Sequence, residues 1–394
     1  MWVKKRHQVV FNILRPFFYL HFKIKYNLTC DKRISLEQNS LILSNHVSTL
    51  DPFMISLLFK QNLYYMMSKD ILNHRFIGSL IKFLINPIAK EKSNKSDIMA
   101  IKNCMRVAKE KGTIAIFPEG NRTISGRLGN VDFSIVKLIK ALKLPLIICN
   151  IQGSHPTDPR WGKTIRRGKV HVSVRARYSY DEIKDMDNDE LYKLVIEKMT
   201  VDDFNFYPEY KGRKLAEHLE KVFYICPVCH KLHTIYTKGN KIYCSHCGLE
   251  VTFNPNLRLT SNKDSFNFDI VPKWYRWQIS ELNKMDFNHD NMIYEDKMNF
   301  YISRPFKSKE LIGKGVMRLY RDEFHFVCEK ETLKFKFRDI SSITLVGKKK
   351  MNIYANGLVY QVLYDHKTNL LKYMQTFYVI KKQKGELDTE FYGI

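Results

Sequence analysis

Negative charge is scarce in this chain. Its 394 residues hold 40 Asp and Glu against 65 Lys and Arg, a formal net charge of +25. A surplus of that size points to a polyanionic partner, either nucleic acid or an anionic membrane. Long hydrophobic runs are also lacking. Nowhere do about 18 uncharged apolar residues follow one another, so no transmembrane helix is expected. The opening stretch, MWVKKRHQVVFNILRPFFYLHFKIKY, contains no acidic residue. Asn12, Arg15 and Pro16 interrupt its apolar residues and no small-residue cleavage site follows, so it does not read as a signal peptide. Without an export signal, disulfides are not expected among the eight cysteines. Apolar residues are not scarce: at 44% of the chain they exclude wholesale disorder and suffice for two or three domains with real cores.

The opening stretch carries Lys4, Lys5, Arg6, Arg15, Lys23 and Lys25 among bulky, often aromatic residues. That combination fits a segment lying in the interface of an anionic leaflet, with Trp2, Phe11, Phe17 and Phe18 inserting. A core helix with exposed lysines is the competing reading.

Further on, helices and apolar strands alternate. SLILSNH reads as a buried strand at 40–44 and DPFMISLLF as a helix with Asp51 at its N-cap and Pro52 in the first turn. A second apolar, basic helix ends at Pro87, and SDIMAIKNCMRVAKEKG is a third. TIAIFPEG and PLIICNIQG read as strands, with the helix FSIVKLIKALKL between them and the alternating strand KVHVSVRARYSY after. The alternation predicts an α/β fold with helices on the faces of its sheet.

Two stretches in this region carry candidate chemistry. In SNHVSTLDP, a neutral His46 can take a proton from a hydroxyl if Asp51 fixes its tautomer. An Asp before Pro is equally an ordinary helix cap. In FPEGNRT, Gly120 allows close backbone approach and Arg122 offers a planar fork for phosphate oxygens. Glu119 beside that turn needs hydrogen bonds if it is buried.

In this order and about 70 residues apart, the two stretches resemble the motifs of the glycerolipid acyltransferase family, the 1-acylglycerol-3-phosphate acyltransferases and relatives. Members carry an Asn-His-x4-Asp block, matched by Asn45, His46 and Asp51. They also carry a Phe-Pro-Glu-Gly-Thr-Arg-Ser block, matched by Phe117, Pro118, Glu119, Gly120 and Arg122. Asn121 and Thr123 depart from it. Between the blocks the family has a glycine and a phosphate-binding Arg; here stand Gly78 and Lys90, and Lys keeps the charge without the bidentate geometry. A last block resembles LPLIICNIQG, with Pro145 and Gly153 matching and Ile148 in place of a second Pro. The resemblance covers roughly residues 10–215, where it implies an α/β acyltransferase domain with a mixed sheet flanked by helices. It implies that His46 and Asp51 are catalytic and that Asn45, Lys90, Glu119, Gly120 and Arg122 bind substrate. The implied reaction is acyl transfer from acyl-CoA or acyl carrier protein to the free hydroxyl of lysophosphatidic acid or another lysolipid. The implied location is peripheral, on the cytoplasmic face of the cell membrane.

Composition shifts near residue 222. CPVCHKLHTIYTKGNKIYCSHCG holds two Cys-x2-Cys knuckles, a spacing that brings four thiolates to one ion. It resembles a zinc ribbon, with Cys226, Cys229, Cys244 and Cys247 as ligands of a structural zinc and a hairpin turn at Lys238, Gly239 and Asn240. A c-type haem site at CPVCH would leave the second knuckle unexplained.

From about 308 the chain is strand-rich and closes with a helix, predicting an antiparallel β barrel or roll that resembles a pleckstrin-homology-like domain. The expected layout is an acyltransferase domain at 1–215, a ribbon at 222–256, a connecting helix at 270–300 and the β domain at 308–384. A zinc-ribbon scaffold for nucleic acid or protein is the rival reading. Nucleic acid is disfavoured because the ribbon is only mildly basic and charge is densest at the N-terminus.

Overall fold

The computed structural model describes residues 1–72, 75–90, 97–288, 290–304, 309–364 and 368–386. The chain divides into two compact units: Met1–Pro159 with Arg166–Lys211, and Arg160–Ile165 with Gly212–Ile394.

The first unit contains α1 (Lys5–Tyr26), β1 (Leu28–Cys30), β2 (Leu41–Ser44), α2 (Asp51–Ser56), β3 (Leu63–Ser68), α3 (Lys69–Leu72), α4 (Arg75–Leu84) and β4 (Ile88–Lys90). After these come α5 (Asp97–Lys109), β5 (Thr113–Ile116), α6 (Ser134–Leu142), β6 (Leu146–Gln152), α7 (Ser154–Thr157), β7 (Val170–Tyr178), α8 (Tyr180–Ile183) and α9 (Asn188–Met199). The strands form one sheet in the order β1-β7-β6-β2-β5-β3-β4. From β6 to β4 the neighbours are parallel, while β7 runs against β6 and takes β1 along with it. The sheet is therefore mixed, as the resemblance implied.

Strand sequences follow from their positions. β2 (LILS) and β5 (TIAI) are buried at every residue, because helices cover both faces of a parallel sheet. β7 alternates buried and less buried residues, as a strand with one dry face does. Leu41, Leu43, Ile114, Ile116, Leu146 and Ile148 meet Val136, Ile139 and Val195 from α6 and α9 in one core. α9 starts where Asp187 accepts a hydrogen bond from the Glu190 N–H at 2.8 Å, an N-cap with acidic residues in the first turn.

α1 turns out differently from the expected pattern. Trp2 is half-buried and its indole N–H donates to the Asn86 carbonyl at 2.8 Å. Phe18 stacks on Phe53 with ring centroids 4.4 Å apart. Of the four residues expected to insert into lipid, Phe17 alone faces outward, at 69% exposure. The outward stripe is instead Val9, Ile13, Phe17, Leu20 and Ile24. Their spacing of 4, 4, 3 and 4 residues is one helical face. Among the described residues, no helix is long and apolar enough to cross a membrane.

In the second unit, β8 (Ile235–Lys238), β9 (Lys241–Cys244), β10 (Glu250–Phe253) and β11 (Leu259–Ser261) form an antiparallel sheet, followed by α10 (Val271–Lys284). Seven further strands follow: β12 (Tyr294–Ser303), β13 (Glu310–Leu319), β14 (Glu323–Cys328), β15 (Thr332–Lys336), β16 (Ile340–Val346), β17 (Lys350–Ala355) and β18 (Leu358–Tyr364). They make one antiparallel sheet in the order β15-β14-β13-β12-β18-β17-β16. The expected barrel is not found among the described residues. β15 and β16 are the two sheet edges: a short 3-10 turn at Phe337–Asp339 carries the chain from one edge to the other. The connecting helix ends at Lys284, and the sheet begins at Tyr294, before the expected 308. The terminal helix α11 (Leu370–Gln383) is buried at every residue from Leu370 to Ile380. Trp274 of α10 stacks on Phe223 at 3.9 Å, and Gln278 accepts the Tyr224 N–H at 2.8 Å. Ribbon, α10 and β sheet thus belong to a single compact unit.

Gly153, straight after β6, has φ +77, and a Cβ there would stand 2.0 Å from the Lys169 carbonyl oxygen. An L-residue in that conformation costs about 1–2 kcal/mol, and the clash with backbone adds to it. Gly153→Ala should therefore lower the melting temperature of this unit by more than about 4 °C, measured by thermal unfolding. An unchanged melting temperature would mean that the turn relaxes freely.

Candidate active site and metal centre

β2 and β5 lie side by side, with Leu43 opposite Ile116. Each is followed by one of the two motif loops, so residues about 70 apart in sequence meet at the carboxyl ends of adjacent strands. That rim is where open α/β sheets bind ligands.

α2 begins at Asp51 itself, with Leu50 as its cap residue and Pro52 in its first turn. The Asp51 side chain does not cap the helix. Its Oδ2 reaches back to the loop, 2.7 Å from Nδ1 of His46, and accepts the N–H groups of Val47 at 2.6 Å and Ser48 at 2.8 Å. Asp51 is fully buried, whereas the His46 side chain keeps 19% exposure. A carboxylate that accepts from Nδ1–H leaves Nε2 as the basic nitrogen of a neutral imidazole. The arrangement is thus an imidazole whose tautomer is fixed at Nδ1 and whose Nε2 is able to accept a proton.

The second loop holds the first. Glu119 is buried, and its two oxygens accept the N–H of His46 at 2.5 Å and of Gly129 at 2.6 Å. Burial pushes its carboxyl up to about 8, against the pull of those two N–H groups. Each oxygen accepts one backbone N–H, so this carboxyl ties the two loops together. The Thr123 N–H donates to the His46 carbonyl at 2.9 Å, and its hydroxyl donates to Arg127 O at 2.7 Å. Gly120 takes φ +67 at the tip of the turn. Phe117 lies ring-to-ring with His46, centroids 4.5 Å apart and planes 21° apart. The Arg122 guanidinium is half-buried. Burial lowers its pKa, and the charges of Asp51 and Asp158 oppose that, which puts this cation within electrostatic reach of the dyad.

The other expected substrate residues are placed less directly. Asn45 is buried and uses both ends of its amide on β6: it donates to Ile151 O at 2.9 Å and accepts the Ile151 N–H at 2.8 Å. Lys90 is exposed at the last position of β4, three strands from β2, about 14 Å along the rim by the usual strand spacing. Sequence reasoning named Thr123 only as a departure from the motif and singled out neither Gly129 nor the ring contact of Phe117. Their contacts arise from the pairing of β2 with β5, and no local signal announces them.

In the second unit, the sulfur atoms of Cys226, Cys229, Cys244 and Cys247 all lie within 4.8 Å of one another. Cys226 and Cys247 are 3.7 Å apart, as are Cys229 and Cys244. A tetrahedral zinc with bonds of ~2.3 Å needs sulfurs ~3.8 Å apart, so the four residues fit that ion. The two knuckles trace one backbone path twice. The His230 N–H donates to Cys226 O and the Gly248 N–H to Cys244 O, both residues with positive φ. His230 and His233 are engaged elsewhere, with Glu281 at 3.3 Å and Lys372 at 3.1 Å. Four thiolates would close the coordination shell, which is the pattern of a structural site.

Comparison with known proteins bears on the first unit. A family model described as Acyltransferase matches residues 25–152. A 1-acyl-sn-glycerol-3-phosphate acyltransferase of Limnanthes douglasii is 28% identical over 142 residues, covering 35% of this chain and 49% of that protein. One of Cocos nucifera is 30% identical over 118 residues, covering 29% of this chain and 38% of that protein. The chain thus spans half or less of the length of these relatives. Among solved structures, PlsC of Thermotoga maritima, a 1-acyl-sn-glycerophosphate (LPA) acyltransferase, is similar with a TM-score of 0.41 and 18% identity, covering 48% of this chain and 77% of that one. Residues 25–152, which contain the His46–Asp51 dyad and the loop that holds it, form an acyltransferase-family domain.

Proposed function

We propose that this chain transfers a fatty acyl group from a thioester, acyl-CoA or acyl carrier protein, to the free hydroxyl of lysophosphatidic acid. The observation that carries the reading is the His46 imidazole, fixed through Nδ1 by buried Asp51 and open at Nε2. His46 Nε2 takes the hydroxyl proton while the hydroxyl oxygen attacks the thioester carbonyl. The tetrahedral intermediate collapses with loss of the thiolate, and the imidazolium returns its proton to that sulfur. No acyl-enzyme is formed. Asp51 stabilises the imidazolium as it appears. Arg122 supports the acceptor phosphate, and Lys90, farther along the rim, offers a second cation to an extended headgroup. Because Lys90 and Asn121 depart from the family pattern, another lysolipid acceptor is the second reading. A panel of lysolipids against both donors separates the two.

The outward stripe of α1, flanked by Lys5, Lys23 and Lys25, supports peripheral attachment to the anionic, cytoplasmic face of a membrane. The four-cysteine cluster supports one structural zinc in the second unit.

Three outcomes check these readings. His46→Ala should reduce turnover to a few per cent or less with the fold intact by circular dichroism, and Asp51→Asn should lower kcat far more than it raises KM. Retained turnover in His46→Ala would remove the base. Replacing Ile13, Phe17 and Leu20 together by Ser should cut co-sedimentation with anionic vesicles, whereas the same change at Phe11 and Phe18 should act mainly on stability. Binding should weaken toward 1 M salt, where the Debye length is about 3 Å. Equal binding of the stripe variant and wild type would refute that placement. Elemental analysis should find one zinc per chain, lost in Cys226→Ser/Cys244→Ser; a metal-free, folded wild type would refute the ribbon reading.

A further inference from the structure

The contact between Phe117 and His46 has a consequence for the reaction. The two rings lie in an offset stack, with centroids 4.5 Å apart and planes 21° apart. Behind Phe117 stands Tyr65, nearly parallel at 10° and 5.9 Å. Tyr65 is buried, and its hydroxyl donates to the Pro52 carbonyl at 2.7 Å and lies 2.9 Å from the Ser56 hydroxyl. The aromatic layer is thus pinned to α2, the helix that begins at Asp51. Asp51 approaches the imidazole edge at Nδ1, and Phe117 covers one of its faces.

An aromatic face carries negative charge density and attracts a cation lying over it. The imidazole is neutral before the reaction and positive once it has taken the acceptor proton. We infer that Phe117 is a positioning residue whose ring face selectively stabilises the His46 imidazolium formed during acyl transfer. The contact is stronger in the transition state than in the ground state, so it raises kcat and leaves KM nearly unchanged. Phe117 therefore supplies from the ring face what Asp51 supplies from the ring edge. This inference rests on the reading of His46 as the base.

The test separates ring electrostatics from ring shape. In the full-length protein, Phe117 is replaced by phenylalanines carrying one, two, three and five ring fluorines, which keep the shape and progressively reverse the charge of the face. kcat with lysophosphatidic acid and acyl-CoA should fall stepwise along the series, to between about 2-fold and about 30-fold at its end, with KM and melting temperature nearly constant. Phe117→Tyr should keep most of the rate, and Phe117→Leu, similar in bulk without a ring, should lose as much as the fully fluorinated residue. The carbon-bound ring protons of His46, read by NMR of histidine-labelled protein, should carry a ring-current shift that disappears in Phe117→Leu. A flat fluorine series with normal ring-current shifts would overturn the inference while leaving His46 as base. An active His46→Ala variant would overturn the function reading and this inference with it. If Phe117→Leu unfolds, the fluorinated series and the wild-type NMR shifts still decide.

Discussion

One carboxylate oxygen organises the candidate active site. Oδ2 of Asp51 is approached by His46 Nδ1 and by the N–H groups of Val47 and Ser48. A buried carboxylate without partners would cost several kcal/mol or lose its charge. Here three donors converge on one oxygen, and the loop from His46 to Asp51 closes around it. Two of those donors are backbone groups that secondary structure leaves unused, so the loop's own hydrogen-bonding need and the orientation of the imidazole are met by the same atom. Removing the charge therefore loosens the backbone and the base together, which separates this site from a surface His–Asp pair, where only the ion pair would be lost.

The pairing of β2 with its two neighbours extends that organisation across the sheet. From the loop after β2, Asn45 clasps Ile151 on β6, while Glu119 and Thr123 from the loop after β5 clasp the N–H and carbonyl of His46. Motif residues thus divide into a pair suited to proton transfer and a set that fixes where that pair stands. In this chain the polar side-chain atoms of Asn45 and Glu119 are engaged with backbone groups. A buried amide or carboxylate that satisfies two backbone groups is hard to replace, because any substitute leaves one of them unpaired.

Much of this was legible in the sequence, and the remainder had identifiable physical reasons for hiding. Strands with continuous apolar runs, such as LILS and TIAI, could be found because both faces of the sheet are covered. The four cysteines could be found because their spacing is itself the chemical requirement, whereas His46 and Asp51 stood out only together with the second motif, since an Asp before Pro is equally a helix cap. The division of α1 was misread. Aromatic bulk suggested that Trp2, Phe11 and Phe18 face lipid, yet large rings gain most by packing, and the stripe left outside consists largely of aliphatic residues. The open edges of the second sheet were hidden because strand alternation specifies which face is dry and is silent about whether the last strand meets the first.

α11 shows the same limit in another form. A helix bearing Lys372, Gln375 and Thr376 reads as half-exposed, but all three are buried. The Lys372 amine meets Asp296 of β12 at 2.6 Å, Gln375 accepts the Tyr224 hydroxyl at 2.7 Å, and Thr376 lies 3.2 Å from the Tyr294 hydroxyl. Each of these three polar groups is matched by one from the sheet or from the chain leading into the ribbon. Such matching is needed wherever a helix is enclosed on all sides, because an unmatched buried amine or amide costs more than its paired form gains. It also ties the unit together: α11 draws partners from the chain before the cysteine cluster, Tyr224, and from the sheet after it, Tyr294 and Asp296, so losing either segment would strand a buried polar group of the helix.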